Sequence, residues 1–453
     1  MGAQSLTLLG SVRHSLWESL VQYMRGFMLR SLKNGLQHGH LVITEGENKH
    51  SFGVVGDRPI SLSADIAVEN EAFWVRVYLS HDLGFSEAYM HGDFTTSNLK
   101  AILDLWLANR DTLTSLMSMY SRVSWMISSI AVKNFGQTLV KSIPNVVTGY
   151  DCSNTFFQAI LSKEMMYSCA LWTDETGGVR GDLDGTVKKF DLENAQLHKI
   201  HYLLKKARVR PGDRLLEFGS GWGAMAIEAA KMGCTVDTLT LSIQQKILAE
   251  QRVAEAGLSD KVRVHFMDYR NLPPEFEKAF DAFISVEMLE AVGVAYMHQY
   301  FKILDWALKS DRATAVMTAT SQPESRWTMY QATDYARKYQ WPNTILPSAT
   351  YLANACQEAV PRRFVLEGIE DNGVHYPRTL REWGRRLQEN WTPEMITEML
   401  KDRPELSNER DLAIYKRKWE YMCVYAEVGY ARAYTSMHYW TFARPDNPML
   451  VCD

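Results

Sequence analysis

The spacing of apolar residues changes along the chain, and its clearest pattern lies in the middle, between residues 150 and 325. Two segments with helical periodicity, Ala224–Met232 and Ile243–Ala256, alternate there with short apolar runs. Strands that alternate with helices in this way are typical of a parallel sheet with helices on both faces. The pattern therefore predicts an α/β fold with a doubly wound sheet and strands at Arg214–Phe218, Thr235–Leu241, Val262–Phe266 and Ala282–Val286.

The first 110 residues have a different pattern, which predicts a small α+β domain. Gly39–Thr44 and Ser51–Val55 are strand-like runs separated by turn residues, as in a hairpin. The apolar run Ala72–Leu79 predicts a further strand. Asn98–Leu107 places its large apolar residues on one stripe and predicts a helix.

Residues 111–149 are predicted to form an amphipathic helical connector between two domains. Arg122 is the only charged residue from Thr112 to Val132. Serines and threonines are too frequent there for a membrane span, so the apolar face either packs on the protein or lies on a membrane surface. Residues 150–453 are predicted to form the larger domain, with a helical insertion at about 326–400 before the sheet is completed.

Composition and charge restrict the classes of function. A chain of 453 residues with 46% hydrophobic residues is long enough for two or three domains with sizeable cores. A formal net charge of −4 gives no support to nucleic-acid binding. The six cysteines are scattered without a CxxC pair, which predicts reduced thiols and no metal site. Because no secretory signal is apparent either, we expect a cytoplasmic protein.

A glycine-rich turn, Gly219–Gly223, separates the first predicted strand of the sheet from its helix. Ligands of doubly wound folds bind at such turns, beyond the carboxyl ends of the strands. Gly219 and Gly221 permit positive φ angles and close approach of the backbone to a ligand. Glu217, just before the turn, can pair through water with a cationic amino group. The turn alone also suits a dinucleotide, whose fingerprint is G-x-G-x-x-G.

Three details favour S-adenosylmethionine (SAM) over a dinucleotide. The third glycine, Gly223, comes one residue early for the dinucleotide fingerprint. The second strand ends in Thr240-Leu241-Ser242 rather than in a ribose-binding acid. After the third strand, Asp268 can accept a hydrogen bond from an adenine amine while Tyr269 stacks on the base. That the last two are ordinary loop residues remains an alternative reading of the same spacing.

Several blocks, in order and at suitable spacing, are similar to those of one family. They are Asp82–Asp93, Tyr150–Phe157, Met166–Ala170, Gly219–Gly223, Thr240–Gln245, Asp268–Arg270, Glu287–Gly293 and Leu346–Ser348. The chain resembles the cyclopropane-fatty-acid-phospholipid synthases and the related mycolic-acid methyltransferases. The resemblance is strongest from Tyr150 to Pro347 and extends more weakly over nearly the whole chain.

The resemblance implies a Rossmann-like, SAM-dependent methyltransferase sheet with a helical cap, beside a small N-terminal α+β domain on the lipid side. It implies transfer of a methyl or methylene group to a carbon–carbon double bond of an unsaturated lipid acyl chain, giving a cyclopropane or methyl-branched product. An unsaturated phospholipid or other alkene-bearing lipid, peripheral membrane contact and a homodimer are the implied partners. Carbon methylation of an isoprenoid, sterol or other specialised metabolite is an alternative, and an inactive lipid-binding protein is another.

The resemblance also implies roles for individual residues. Together with Glu217 and Asp268, the SAM pocket would be lined by Tyr150, Tyr167, Ser168, Gly219, Gly221, Trp222, Thr240, Leu241, Gln245, Tyr269 and Val286. Cys169, Glu290 and Tyr376 match the positions that hold a bicarbonate ion, the base of the family's reaction.

Three further expectations concern the base, the membrane and the cationic intermediate. Thr318 stands near the position of a bicarbonate-binding histidine in the family, and a threonine supplies a hydrogen bond but no charge. Residues 133–147 are only mildly basic, and each Lys or Arg near an anionic membrane contributes about 1 kcal/mol. Weak attraction to bulk phospholipid is therefore expected. Aromatic rings that could stabilise a carbocation are Trp327, Tyr330, Tyr335, Tyr339, Tyr376 and Trp440.

Overall fold

The computed structural model describes residues 2–53, 62–113 and 153–447, with side chains from residue 17 onward. The chain forms two compact units. The first comprises Met1–Asn134, Ala332–Lys338 and Glu405–Val428, and the second comprises Phe135–Gln331, Tyr339–Pro404 and Gly429–Asp453. Most of the predicted connector, including the whole of 114–149, lies outside the described residues.

The N-terminal part of the first unit is an α+β arrangement, as predicted. Its elements are α1 (Gly2–Gly35), β1 (His40–Glu45), β2 (Asn48–Gly53), β3 (Ser63–Val68), α2 (Ala72–His91), β4 (Phe94–Thr95) and α3 (Leu99–Ala108). The sheet order is β2-β1-β3-β4. The predicted hairpin is confirmed by the antiparallel pairing of β1 with β2. The predicted helix after Asn98 is also confirmed, and the Asn98 side chain caps it by accepting a hydrogen bond from the Ala101 N–H.

The prediction of a strand at Ala72–Leu79 is wrong, because these residues begin helix α2. Phe73, Trp74 and Val77 are buried there, at the spacing of one helical face. A short apolar run rich in aromatic and β-branched residues is compatible with either a strand or a buried helix. The packing of that face in the core of the first unit stabilises the helix rather than a strand.

The second unit contains the predicted sheet. Its strands are β5 (Arg214–Phe218), β6 (Thr235–Thr240), β7 (Val262–Phe266), β8 (Ala282–Val286), β9 (Thr314–Ser321), β10 (Val365–Asp371) and β11 (Ser436–Ala443). Its helices are α4 (Asn154–Ile160), α5 (Asp191–Lys206), α6 (Ala224–Lys231), α7 (Ile243–Glu255), α8 (Met297–Ala307), α9 (Ala349–Ala359), α10 (Tyr376–Asn390) and α11 (Pro393–Asp402). A final helix, α12 (Glu409–Ala431), lies mostly in the first unit.

The order of this sheet is β10-β11-β9-β8-β5-β6-β7. Strands β5 to β9 run parallel to one another, whereas β11 runs antiparallel to both β9 and β10. The chain moves outward from β5 through β6 to β7 and then returns to β8 on the other side of β5. The strand order therefore reverses between β5 and β8, and ligands of open α/β sheets bind at such a reversal.

The four strands predicted from the apolar pattern are confirmed as β5 to β8, each to within one residue. β5, β6 and β8 are almost fully buried, whereas the edge strand β7 alternates between buried and more exposed residues. The predicted fold class is confirmed as well. In the part of the chain that the structure describes, no helix combines the length and apolar character needed to cross a membrane.

Candidate active site

Four of the predicted site segments meet at one edge of the large sheet. The glycine turn follows β5, Thr240–Ser242 spans the end of β6 and the loop after it, Asp268–Tyr269 follows β7, and Val286–Glu290 spans the end of β8 and the turn after it. These strands are parallel neighbours, so their carboxyl ends lie side by side. The structure therefore brings the predicted residues to the point where the strand order reverses.

Backbone hydrogen bonds fix the position of the glycine turn and leave space beside it. The N–H groups of Gly219 and Ser220 both donate to the Leu239 carbonyl at 2.9 Å, which fixes the turn to β6. Gly219 has φ +94° and Gly221 has φ +48°, in the region that favours glycine. A Cβ on Gly219 would touch only Met288, at 3.6 Å, and one on Gly221 would meet no described atom within 4 Å. The turn thus offers space that a ligand can fill.

Glu217 precedes the turn on β5 and is 2% exposed. Burial raises the pKa of its carboxyl group to about 8, opposed by a hydrogen bond from the Thr238 side chain. Its Oε2 atom has no hydrogen-bond partner within the described ranges. A buried acceptor without a donor is unfavourable, and a cationic or water-bridged ligand group would satisfy it. The open turn and this atom together fit a ligand with an amino group, as SAM has.

The loops after β6 and β7 hold the other predicted cofactor residues. Thr240 is buried and donates from Oγ1 to Gln245 Oε1 at 2.8 Å, whereas Leu241 is partly exposed beside it. Asp268 accepts from Arg270 through both carboxylate oxygens. Because each carboxylate oxygen has two acceptor sites, this ion pair still leaves Asp268 able to accept from an adenine amine. The ring of Tyr269 lies 5.4 Å from Phe218 and 5.5 Å from Tyr300.

Trp222 and Tyr167 lie among aromatic side chains next to the turn. Trp222 is 2% exposed, its Nε1 donates to Asn154 Oδ1 at 2.8 Å, and its ring packs on Phe157. Tyr167 packs between Phe157 and Trp383, at 5.2 and 5.1 Å. Trp222 therefore ties the turn to helix α4, and its contact with a cofactor stays a prediction. Tyr150 lies outside the described residues.

Glu287 lies at the centre of a buried cluster of acids and tyrosines at the end of β8, and the sequence alone predicts no role for it. Its Oε1 accepts from the backbone N–H of Cys169 and its Oε2 from the hydroxyl of Tyr376, both at 2.7 Å. Its own N–H donates to the Thr318 carbonyl at 3.0 Å. Three residues predicted to hold bicarbonate or to stand near it, Cys169, Tyr376 and Thr318, thus meet at Glu287.

The backbone of Glu287 is strained, with φ +49°. A non-glycine residue in the left-handed region costs on the order of 1–2 kcal/mol. Such strain persists where surrounding bonds fix the residue, and it concentrates at functional sites. The sequence carries one sign of this, an acid placed directly after a buried strand and three residues before Glu290. The contacts that define its position come from residues 118 and 89 positions away.

Glu290 lies in a short turn after β8 and is 9% exposed. Its Oε1 accepts from the Thr320 N–H at 2.6 Å, while Oε2 lacks a partner among the residues described. Burial, and then the charge of Glu287, raise the pKa of Glu290 to about 8. The Thr320 hydroxyl is hydrogen-bonded to Tyr430, whose ring stacks on Tyr376 at 4.3 Å. Glu290 thus sits next to the cluster around Glu287.

Lys199 supplies a cationic group to the cluster from helix α5. It is 1% exposed and donates to Ser168 Oγ at 2.5 Å. Burial lowers its pKa to about 8, opposed chiefly by the charge of Glu287. Burial also raises the pKa of Glu287, whereas Lys199 and the two hydrogen bonds lower it. Lys199 was not predicted as a site residue, because a single lysine on an amphipathic helix has no distinguishing sequence signal.

The predicted bicarbonate site does not fit the residues present. The N–H of Cys169 and the hydroxyl of Tyr376 already donate to Glu287. Burial raises the pKa of the Cys169 thiol well above its usual value, so it supplies no charge. The Glu287 carboxylate would repel a further anion. Thr318 is 1% exposed and offers no compensating cation.

Of the predicted carbocation-stabilising rings, Tyr376 is placed in the cluster. Tyr335 belongs to the first unit, where its hydroxyl donates to the Lys418 carbonyl. Trp440 is fully buried in the sheet and donates to the Ala349 carbonyl at 3.0 Å. Trp327 stacks on Tyr351 with a centroid distance of 4.5 Å. Tyr430 was missed from the sequence and stands beside Tyr376 instead.

Comparison with known proteins identifies the family. The family model for mycolic acid cyclopropane synthetase matches residues 137–406, more than half of the chain. The chain is 29% identical over 366 residues to the tuberculostearic acid methyltransferase UfaA1 of Mycobacterium tuberculosis, covering 81% of this chain and 80% of that protein. It is 30% identical over 332 residues to the cyclopropane-fatty-acyl-phospholipid synthase of Escherichia coli, covering 73% and 78%.

A solved structure shows the same fold. Mycolic acid cyclopropane synthase CmaA1, complexed with SAH and CTAB, is 21% identical and superposes with a TM-score of 0.54, covering 67% of this chain and 98% of that one. The predicted enzyme class, a SAM-dependent methyltransferase of the cyclopropane-fatty-acid synthase type, is confirmed together with the resemblance that suggested it. The chain belongs to the mycolic acid cyclopropane synthetase family.

Proposed function

We propose that the protein transfers a one-carbon unit from SAM to a carbon–carbon double bond in an unsaturated lipid acyl chain. The observation that carries this proposal is the juxtaposition of an open glycine turn with a buried cluster of acids and tyrosines at one sheet edge. Relatives named as a fatty-acid methyltransferase and a phospholipid cyclopropane synthase support the acceptor class. A structural neighbour named as a complex with SAH supports the donor.

The residues that hold the donor are those of the four strand ends. When bound, SAM supplies an electrophilic methyl group on a sulfonium centre. Gly219 and Gly221 would leave room for the part of SAM that lies against the backbone, and the Glu217 carboxyl group would accept a hydrogen bond from its amino group. Further contacts would come from Tyr167, Ser168, Trp222, Thr240, Leu241, Gln245, Asp268, Tyr269 and Val286. Tyr150, which lies outside the described residues, is expected to contribute as well.

The protein's part in the chemistry is alignment, exclusion of water and removal of a proton. An isolated alkene is a weak nucleophile, and holding it in line with the methyl group can contribute roughly 7–11 kcal/mol. The faces of Tyr376 and Tyr430 can stabilise the positive charge that develops on the acceptor, by about 2 kcal/mol in a dry site. Both rings are at least nine-tenths buried. A carboxylate in the cluster then takes the proton whose loss forms the product.

Two finer expectations belong to this proposal. Peripheral contact with a membrane would give the site access to acyl chains of a phospholipid bilayer. A homodimer remains a prediction from the family resemblance.

Loss of a proton from the added carbon closes a cyclopropane, whereas prior migration of a hydride gives a methylene group, which becomes a methyl branch after reduction.

Product analysis tests the proposed function. The protein is incubated with isotopically labelled SAM and vesicles of monounsaturated phospholipid, with vesicles of saturated phospholipid of the same headgroup as the control. We expect label only in the unsaturated acyl chains, each gaining the mass of one CH₂ group by mass spectrometry. Loss of the double bond distinguishes a cyclopropane from a methylene product. Label confined to a small neutral metabolite from a total lipid extract would contradict the proposal and support the alternative acceptors.

A further inference from the structure

Glu287 occupies a defined position between two elements that are far apart in sequence. One carboxylate oxygen accepts from the Cys169 N–H and the other from the Tyr376 hydroxyl, both at 2.7 Å. Its backbone is held in the left-handed region, φ +49°, by hydrogen bonds to the carbonyl and hydroxyl of Thr318. Two of the three residues that the family resemblance assigns to a bicarbonate ion, Cys169 and Tyr376, therefore already bind a carboxylate group of the chain itself.

A carboxylate and a bicarbonate present the same planar pair of acceptor oxygens to two donors. One pair of donors cannot serve both at the same distance, and a second anion beside the Glu287 carboxylate would be repelled. Thr318 adds no positive charge to offset that repulsion. Lys199, which is fully buried nearby and bonded to Ser168, is the cation that balances Glu287.

We propose that the Glu287 carboxylate replaces bicarbonate and is the base that removes the proton from the methylated acceptor. This inference rests on the proposed function. After the first carbon–carbon bond has formed, the acceptor is a carbocation. The proton of the added carbon passes to a Glu287 oxygen, and the electron pair of that C–H bond forms the second carbon–carbon bond. The cation becomes a neutral ring and the carboxylate becomes a carboxylic acid, which returns its proton to solvent as the product leaves.

Either carboxylate oxygen can accept this proton while keeping its present hydrogen bond, since each has a second acceptor site. Glu290 is less suited to the role. Its Oε1 is bound to the Thr320 N–H, and a carboxyl group that is already protonated at neutral pH cannot act as a base. Glu290 is then a positioning residue beside the base.

The first test compares the wild-type protein with Glu287→Gln in CO₂-depleted buffer and in buffer with added bicarbonate. Glutamine keeps the shape and one acceptor but cannot take a proton. We expect wild-type turnover to be equal in the two buffers. We expect turnover of Glu287→Gln to fall by about 100-fold or more, with no recovery on adding bicarbonate and with unchanged affinity for S-adenosylhomocysteine. The exposed helix α11 residue Glu398, varied to Gln, is the control and should leave turnover and affinity unchanged.

The second test measures bicarbonate binding by calorimetry without lipid. Glu287→Gly removes the carboxylate and relieves the left-handed backbone conformation, so the Cys169 N–H and the Tyr376 hydroxyl become available. We expect this variant to bind bicarbonate and the wild-type protein to bind none. Bicarbonate-dependent turnover of the wild-type protein, near-normal turnover of Glu287→Gln, or no bicarbonate binding by Glu287→Gly would each overturn the inference.

These results separate the present inference from the proposed function. A wild-type protein that methylates unsaturated lipid only in the presence of bicarbonate has the proposed function and not the proposed base. A wild-type protein that methylates no lipid in either buffer lacks the proposed function, and the calorimetric comparison of the two proteins still decides whether Glu287 fills the anion site.

Discussion

The openness of the glycine turn can be tested by adding one methyl group to it. In Gly219→Ala the new Cβ would touch only Met288, at 3.6 Å, an ordinary contact. The folding cost then comes from φ +94°, where an L-residue is less stable than glycine by about 1–2 kcal/mol. The reduced freedom of the unfolded chain returns about 0.4–1 kcal/mol. We therefore expect a net loss of about 1 kcal/mol in the free energy of unfolding.

Gly212 provides a matched control for this substitution. It has φ +89°, its Cβ would meet no described atom within 4 Å, and it lies in an exposed turn before β5. Gly212→Ala should lower stability by a similar amount. Only Gly219→Ala should also weaken S-adenosylhomocysteine binding, because its methyl group takes space that the cofactor needs. We expect at least a tenfold weaker affinity, or about 1.4 kcal/mol.

Calorimetric titration and urea unfolding of the three proteins measure both effects. The reasoning would be refuted if Gly219→Ala bound S-adenosylhomocysteine as tightly as the wild-type protein does. It would also be refuted if the two variants lost affinity equally, because the loss would then follow from stability rather than from the site.

Three further predictions concern buried polar groups. Burial raises the pKa of Glu217 to about 8, so the stabilising effect of its protonated carboxyl group is complete below about pH 4.5 and is lost as the pH rises through 8. In urea unfolding without cofactor, the wild-type protein should therefore lose stability relative to Glu217→Gln between pH 6 and pH 8.5. An equal difference between the two proteins at both pH values would contradict this. Trp222→Phe removes the bond to Asn154 Oδ1 and should lower the free energy of unfolding by about 1–3 kcal/mol; no loss in urea would show that the bond is replaced. Arg378→Met leaves Asp191 without the buried guanidinium that it contacts at 2.9 Å, and chemical unfolding should show a loss of about 3–5 kcal/mol, whereas a stable variant would show that Asp191 becomes protonated at little cost.

The parts of the fold that could be predicted from sequence are those in which local pattern and burial agree. Strands β5, β6 and β8 are buried on both faces and bounded by turn residues, so their apolar runs mark them nearly to the residue. The edge strand β7 is buried at alternate positions, and its period-two pattern marks it equally well. Strand β10 alternates between exposed and partly buried positions, with no continuous apolar run. Its place in the sheet depends on antiparallel pairing with β11, more than 60 residues later. The sequence around β10 therefore gives no local signal of the strand with which it pairs.

The residues of the candidate site also fall into those that local sequence predicts and those that it does not. The glycine turn could be predicted because it lies within one strand–turn–helix unit, and Cys169, Glu290 and Tyr376 could be predicted because the family resemblance marks them. Glu287 and Lys199 could not. Their importance follows from contacts of the end of β8 with Cys169 and with the start of α10, and of the middle of α5 with Ser168. Such contacts exist only after the sheet and its covering helices have assembled.

The two acids of the cluster differ in environment in a way that suits different roles. Both are buried, and burial raises the pKa of each. Glu287 is compensated by three groups that favour its charged form, namely Lys199, the Tyr376 hydroxyl and the Cys169 N–H. Glu290 has backbone and Thr320 hydrogen bonds but also the repulsion of Glu287, and its pKa rises to about 8. When environments separate the pKa values of paired carboxyl groups, the group that stays ionised is the base and the other keeps its proton. Glu287 is therefore the acid whose surroundings favour the charged form more, and its carboxylate, bonded to Tyr376, lies where a cationic acceptor would be stabilised.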